Sequence, residues 1–183
     1  MKPISALVIA AFLVTTVPTN GADSSWQEPE DFRGLKWGAS VEEMRKVFPT
    51  HMEKHLDLGN RIKSFFVGQR IGDALVQLDL GFLDDRFSSA YISFMSADFP
   101  VMRDAFITRY GPAHSTTEQT LKNRAGAEFV NTVLNWTGPT MFIQIQKYSG
   151  TVNNGSAFLS KHEFSNELMR IKKQKGKDAA KDL

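Results

Sequence analysis

Cysteine is absent from the 183-residue chain. Its absence excludes disulfides, thiolate metal ligands, a cysteine nucleophile and the lipid-modified cysteine of bacterial lipoproteins, so the fold must be held by its core alone. One-sided charge is lacking too. The 22 basic and 20 acidic residues leave a formal +2, whereas nucleic-acid recognition requires a concentrated basic face, and no nucleic-acid partner is expected. Long apolar runs are confined to Ile4–Val17, which Pro18 closes. That run falls short of the roughly 20 residues that cross a bilayer, so no integral membrane span is expected. Also missing are the phosphate-cradling G-x-x-x-x-G-K, a dinucleotide-binding glycine pattern after a strand, and the G-x-S-x-G elbow. No set of side chains takes nucleophile, base and oxyanion roles together. The expectation is a protein that is not an enzyme and carries no cofactor.

What is present begins with a leader. Lys2 beside the amino terminus, the apolar stretch, and small residues at Gly21 and Ala22 are the three parts of a secretory signal peptide over 1–22. The mature chain is therefore expected to be periplasmic or secreted, in a bacterium. With 42% hydrophobic and 23% charged residues, the remainder has a globular composition. Its length suits one ordinary domain. The expected organisation is a single compact α+β domain over 23–162, made of two pseudo-repeat halves at about 32–96 and 97–162, followed by a C-terminal helix and basic tail over 163–183.

Periodicity supplies the elements. From Ser40 the pattern is helical: Val41, Met44, Val47 and Phe48 share a face, and Pro49 stops the run. Ser40 and Glu43 occupy the two positions of a capping box. The preceding RGLKWGAS, 33–40, has the glycines of a ligand loop but reads better as the entrance to this helix. Gly34 and Gly38 permit tight backbone paths, Trp37 is an anchor and Ser40 the cap, while Glu42 and Glu43 would repel an anion. Three period-two runs follow: IKSFFVG, then Ala74 to Phe82 with Ala74, Val76, Leu78, Leu80 and Phe82 inward, then Phe87 to Met95 with Ala90, Ile92 and Phe94 inward. SADFPVMRDAFITRYGP is a second helix, with Met102, Ala105 and Phe106 on its inner side and Gly111–Pro112 as left-handed cap and breaker. Strand-like runs near 116–122, 129–136, 141–148 and 156–161 come next. A final helix over about 163–175 carries Phe164, Leu168 and Ile171. The predicted fold class is α+β, with short helices packed on antiparallel β-meander sheets in the order α-βββ-α-ββββ-α, an order that suggests tandem duplication.

A glycine, a small residue and a serine leading an acidic helix, as in GASVEEMRKVFP, then hairpins, then a helix ending in YGP, give the chain a family likeness. It resembles exported bacterial proteins with the fold of β-lactamase inhibitory protein and the small outer-membrane assembly lipoproteins, over about Phe32 to His162. The resemblance implies helices on antiparallel sheets and a role in protein binding rather than catalysis. It assigns no individual residue a role. The chain departs from it by lacking the lipoprotein cysteine of one group and the disulfides of the other.

Among candidate sites, HMEKH places His51 and His55 four apart, on one face if helical, but Glu53 lies midway and no third ligand is identifiable. A solvated loop is expected there, and no metal. Asp84 and Asp85 fit a hairpin turn in which aspartate caps its own backbone. Asn135-Trp136-Thr137 and Asn154-Gly155-Ser156 match glycosylation acceptors, which matter only in a eukaryotic secretory route. Trp136 is expected in the core. Arg170, Lys172, Lys173, Lys175, Lys177 and Lys181 read as a solvated helix end and tail. A weak contact with an acidic partner or lipid headgroups is the sharper alternative.

The positions opposite the apolar set are the most informative. They are Gln77, Asp79, Ser89, Tyr91, Ser93, Asn131, Asn135, Gln144, Gln146 and Tyr148, and Asp79 alone is charged. Amides, hydroxyls and tyrosine with so little charge resemble a recognition surface, although a face that is merely solvated, or covered by the last helix, fits as well. The expected binding residues are Gln77, Tyr91, Asn131, Asn135, Gln144, Gln146 and Tyr148, with Tyr91 and Tyr148 as anchors. The leading expectation is a binding module for an unknown envelope protein. The alternative is a small-molecule or lipid carrier with a cavity between sheet and helices.

Overall fold

The computed structural model describes residues 26–54, 61–122 and 126–180. The expected signal peptide, His55 and Lys181 lie outside the described residues. A small hairpin of β1 (Asp31–Phe32) and β2 (Leu35–Lys36) opens the described chain and leads to α1 (Val41–Val47). Four strands follow: β3 (Met52–Lys54), β4 (Ile62–Ile71), β5 (Ala74–Leu83) and β6 (Arg86–Met95). After a 3-10 turn, α2 (Phe99–Tyr110) precedes β7 (Ser115–Lys122), β8 (Glu128–Thr137), β9 (Met141–Gln146) and β10 (Asn154–Lys161), and α3 (His162–Ala179) ends the described chain. The fold is α+β with antiparallel sheets.

Its eight-stranded sheet has the order β3-β4-β5-β6-β10-β9-β8-β7. Each of α1 and α2 thus leads a four-stranded meander, and the two meanders join through their last strands, β6 and β10, in antiparallel register from Asn154 opposite Met95 to Ser160 opposite Ser89. The first half holds four strands, not the expected three. Met52–Lys54 is too short to show a period of two, and it is strand because it pairs with β4 at Phe66, Phe65 and Ser64. Met52–Lys54 is accordingly strand rather than the expected solvated loop. His51 turns its Nδ1 to the Phe48 carbonyl at 2.9 Å and its ring edge to Phe65.

RGLKWGAS divides into two devices. Arg33 and Gly34, both at positive φ (54° and 86°), form the tip of the β1–β2 hairpin, which the sequence did not reveal. The rest is the expected helix entrance. Trp37 stacks flat on Phe87 with ring centroids 4.6 Å apart, and Ser40 and Glu43 form the reciprocal capping box. At the exit of α2, Gly111 has φ +79° but ψ −176°, a glycine-only conformation and not the αL geometry of the expected left-handed cap. Asp84 and Asp85 adopt φ of 49° and 59° at the β5–β6 turn. Their carboxylates do not cap their own backbone as expected; they reach Arg61 and Lys63.

The inward sets predicted for β5 and β6 form one core with α1 and α2. Met44, Phe48, Phe99, Met102 and Phe106 are buried over Phe65, Val67, Leu78, Leu80, Ile92, Ile143, Ile145 and Trp136. Burial of each large apolar side chain contributes about 1.5–3 kcal/mol, and this shared core is what the missing disulfides would otherwise supplement. Trp136 is buried as expected, its indole N–H donating to the Gly111 carbonyl at 2.9 Å.

The third helix lies on the other side. Phe164 and Ile171 bury against Ile62 and Leu83, with Phe158 and Leu168 half-buried beside them. Because Leu83 and Gly81 alternate with the core residues Phe82 and Leu80, α3 covers the face opposite α1 and α2. Among the described residues, no helix is long and apolar enough to cross a membrane.

Candidate functional site

Strand register assembles the uncharged positions into rows across the sheet. One row runs through all eight strands: Met52, Phe66, Asp79, Tyr91, Phe158, Gln144, Asn135 and Ser115 are successive Cα partners. The next runs through seven: Gly68, Gln77, Ser93, Ser156, Gln146, Val133 and Thr117. Asp79 is the single charged residue in both rows, and the Ser64 hydroxyl donates to it.

The amides form a cross-strand ladder. Gln144 Nε2 donates to Asn135 Oδ1 at 2.9 Å, Asn135 Nδ2 to Ser115 Oγ at 3.3 Å, and Gln146 Nε2 to Ser156 Oγ at 3.1 Å. Each such bond fixes a side chain while leaving its other donors and acceptors for a partner. Tyr91 is 38% exposed, and its hydroxyl lies 3.4 Å from Ser149 Oγ. Of the seven residues expected to bind, Gln77, Tyr91, Asn135, Gln144 and Gln146 fall in the two rows.

Asn131 and Tyr148 lie beyond them, toward the β9–β10 connection. Asn131 is only 4% exposed, and its Oδ1 accepts from the Tyr148 backbone N–H at 2.8 Å. Its amide is thus occupied in shaping the loop rather than presented to solvent. Tyr148 is half-buried, with its ring edge-on to Phe129 and Lys147 Nζ 5.0 Å from the ring centroid. Ser89 is buried near Phe164.

Pattern reading missed the exposed apolar members of this face. Leu75 is 65% exposed and Met95 57%, and Met52 is exposed at the β3 edge. Leu75 and Met95 stand out of phase with the inward residues of their strands. That was the signal that could have found them: a large apolar residue at a position whose alternation points it to solvent.

α3 forms a wall along one side of the rows and is pinned by charge. Arg61 bonds Asp84 bidentately, Nε to Oδ1 at 2.8 Å and Nη2 to Oδ2 at 2.5 Å, and reaches Glu167 with Nη1 at 3.1 Å. Arg170 bonds the same carboxylate at 2.7 and 2.8 Å. The Arg170 guanidinium, followed by Arg61, holds Glu167 below the usual carboxylate range, and Arg61 does the same to Asp84. Beyond Ile171 the helix stands clear of the body, with residues 172–178 all exposed. The lysine run therefore sits on a projecting helix end.

Among the described residues, no group of three His, Cys, Asp or Glu side chains is placed to hold a metal ion. No family model matches this chain, and neither does any curated protein or solved structure.

Proposed function

We propose that the protein is an exported, non-enzymatic binding module, periplasmic or secreted, that holds a protein partner on the part of the sheet face opposite α1 and α2 that α3 leaves open. One observation carries this reading: two adjacent rows crossing the sheet hold a single charge, with exposed Tyr91, Leu75 and Met95 on the same face. Water-facing sheet surfaces favour charged side chains, whereas interface cores are depleted in charge and rich in tyrosine and methionine. The bonded amide ladder lowers the ordering cost of binding, because its side chains are already held in place. The exported location rests on the leader pattern alone, and protein binding is also what the resemblance to the inhibitory-protein fold implies.

Photo-crosslinking tests the face. A photoreactive residue at Ser93 or Gln146 should trap an envelope protein, and the same residue at Val101, on the outer side of α2, should not. Tyr91→Ala should reduce the adducts while leaving the far-ultraviolet circular dichroism unchanged. Adducts arising from Val101 and not from Ser93 or Gln146 would refute the proposal. A second reading, a carrier of small molecules or lipids, is supported by a different observation, a cleft of about 610 Å³ between α1, α2 and the core face of the sheet.

A further inference from the structure

The cleft has an apolar floor and a charged mouth. Phe48, Ile71, Ile92 and Phe106 line its depth, and Arg33 and Arg109 stand at its rim. Its volume is that of a small-molecule site. Asp31 is the one carboxylate among its lining residues, and it is largely committed: its Oδ1 accepts from the Gly34 backbone N–H at 2.9 Å. Arg109 Nη2 makes a long ion pair with that same oxygen at 3.5 Å, against the roughly 2.7–2.9 Å of a tight charge-assisted bond, and its guanidinium also meets the Tyr110 hydroxyl. Arg33 has no ion pair among the described residues. The rim therefore carries two guanidinium groups against one carboxylate.

Arg33 is the more telling of the two. It holds φ +54° at the first position of a two-residue hairpin loop, with Gly34 at φ +86°. Such loops favour asparagine, aspartate or glycine at that position, because only those residues adopt the left-handed region without strain. Nothing in the hairpin requires a long cation. What an arginine adds there is a guanidinium over the cleft mouth, and backbone strain of this kind concentrates where a ligand is held.

We propose that this cleft binds a monoanionic amphiphile, its acyl or aryl body on the apolar floor and its carboxylate between Arg33 and Arg109. The proposal rests on the carrier reading and supplies its ligand class. A guanidinium presents paired N–H donors in a fork that matches a carboxylate, and Phe48 and Phe106 give a chain the apolar contact that a small inorganic anion would not use. Arg33 and Arg109 are specificity residues on this account, while Ala105 lines the same cleft from α2.

Calorimetric titration with sodium dodecanoate and with 1-dodecanol, both as dissolved monomers, tests ligand class and carrier reading separately. Dodecanoate is expected to bind at least tenfold more tightly than the alcohol. Arg109→Gln and Arg33→Gly should each weaken dodecanoate at least fivefold without weakening the alcohol, and Arg33→Gly should melt no lower than the parent, because glycine relieves the left-handed strain. Ala105→Phe, which intrudes into the cleft from α2, should abolish both. Equal affinity for the two ligands would overturn the anionic class and leave a carrier. Binding of neither would overturn both, and binding that survives Ala105→Phe would place the ligand elsewhere and refute this site.

Discussion

Gly81 is where α3 comes closest to the sheet, and replacing it with valine should lift the helix. A Cβ built at Gly81 would meet first the Ser89 hydroxyl, the free end of a side chain that a change of rotamer can move, and then Phe164 Cζ at 2.7 Å, closer than real Cβ contacts. Overpacking of this kind costs about 1–3 kcal/mol. Burial of one aromatic side chain contributes about 1.5–3 kcal/mol, so the clash is of the same size as the gain that holds Phe164 down. Phe164 belongs to a cluster with Ile62, Leu83 and Ile171, separate from the main core. The strain therefore has a local outlet. The Arg61–Glu167–Arg170 contacts are open to water through both arginines and oppose this weakly. In Gly81→Val, hydrogen exchange of the α3 amides should quicken by about tenfold for each 1.4 kcal/mol lost, with β5 and β6 keeping their protection. Gly155→Ala is the control. Its Cβ meets Phe94 Cζ at 2.8 Å inside the main core, so it should lower the melting temperature of the whole domain. If α3 in Gly81→Val kept its protection, or lost it only together with β5 and β6, the separate status of the helix would be refuted.

Three further outcomes follow from the core and the titrating groups. Trp136→Ala should cost about 3–5 kcal/mol in urea unfolding, since it empties a fully buried site and leaves the Gly111 carbonyl without its donor. Burial pushes the Tyr110 hydroxyl from 10.0 up to about 12. A raised folded value gives stability that is whole below the unfolded pKa and is lost as pH rises through the folded one, so the parent should weaken between about pH 10 and 12, and Tyr110→Phe should not show that loss. Glu28 shows the opposite sign. Burial, the largest influence, raises its pKa, but hydrogen bonds from Thr140 and Met141 together with Lys161 outweigh it and hold the carboxyl below 4.5. Its contribution is thus present above pH 4.5 and lost as pH falls through the lower folded value, and Glu28→Gln should flatten that acid limb in a melting-temperature series.

The inward faces of β5 and β6, the capping box of α1 and the burial of Trp136 were legible because each rests on residues close in sequence. The side occupied by α3 was legible only as one alternative, cover of the polar face by the last helix, and its contacts were not. Phe164, Leu168 and Ile171 announce an apolar stripe, but its partners Ile62 and Leu83 come from distant strands, and the gap at Gly81 that admits Phe164 reads in sequence only as a missing side chain. Asn131 counted as a recognition amide from its phase, yet its oxygen is engaged by Tyr148 N–H, a contact set by the return of the β9–β10 connection. Leu75 and Met95 were obscured by the hydrophobic residues beside them. The cleft entered only as the alternative of a cavity between sheet and helices, and its lining could not be read, since that depends on the separation of α1 and α2 across the sheet.

The seam between β6 and β10 bears on how the chain can be made. β6 is complete at Met95, but its partner begins only at Asn154. While the second half is being synthesised, β6 presents an unpaired backbone edge beside Ile92 and Phe94, the kind of surface that recruits other chains. Pairings between segments so far apart close slowly. A chain cut short before β10 is therefore not a smaller folded domain but an open half-sheet prone to aggregate. Completion of the fold waits on β10, which is made only after α2 and β7–β9.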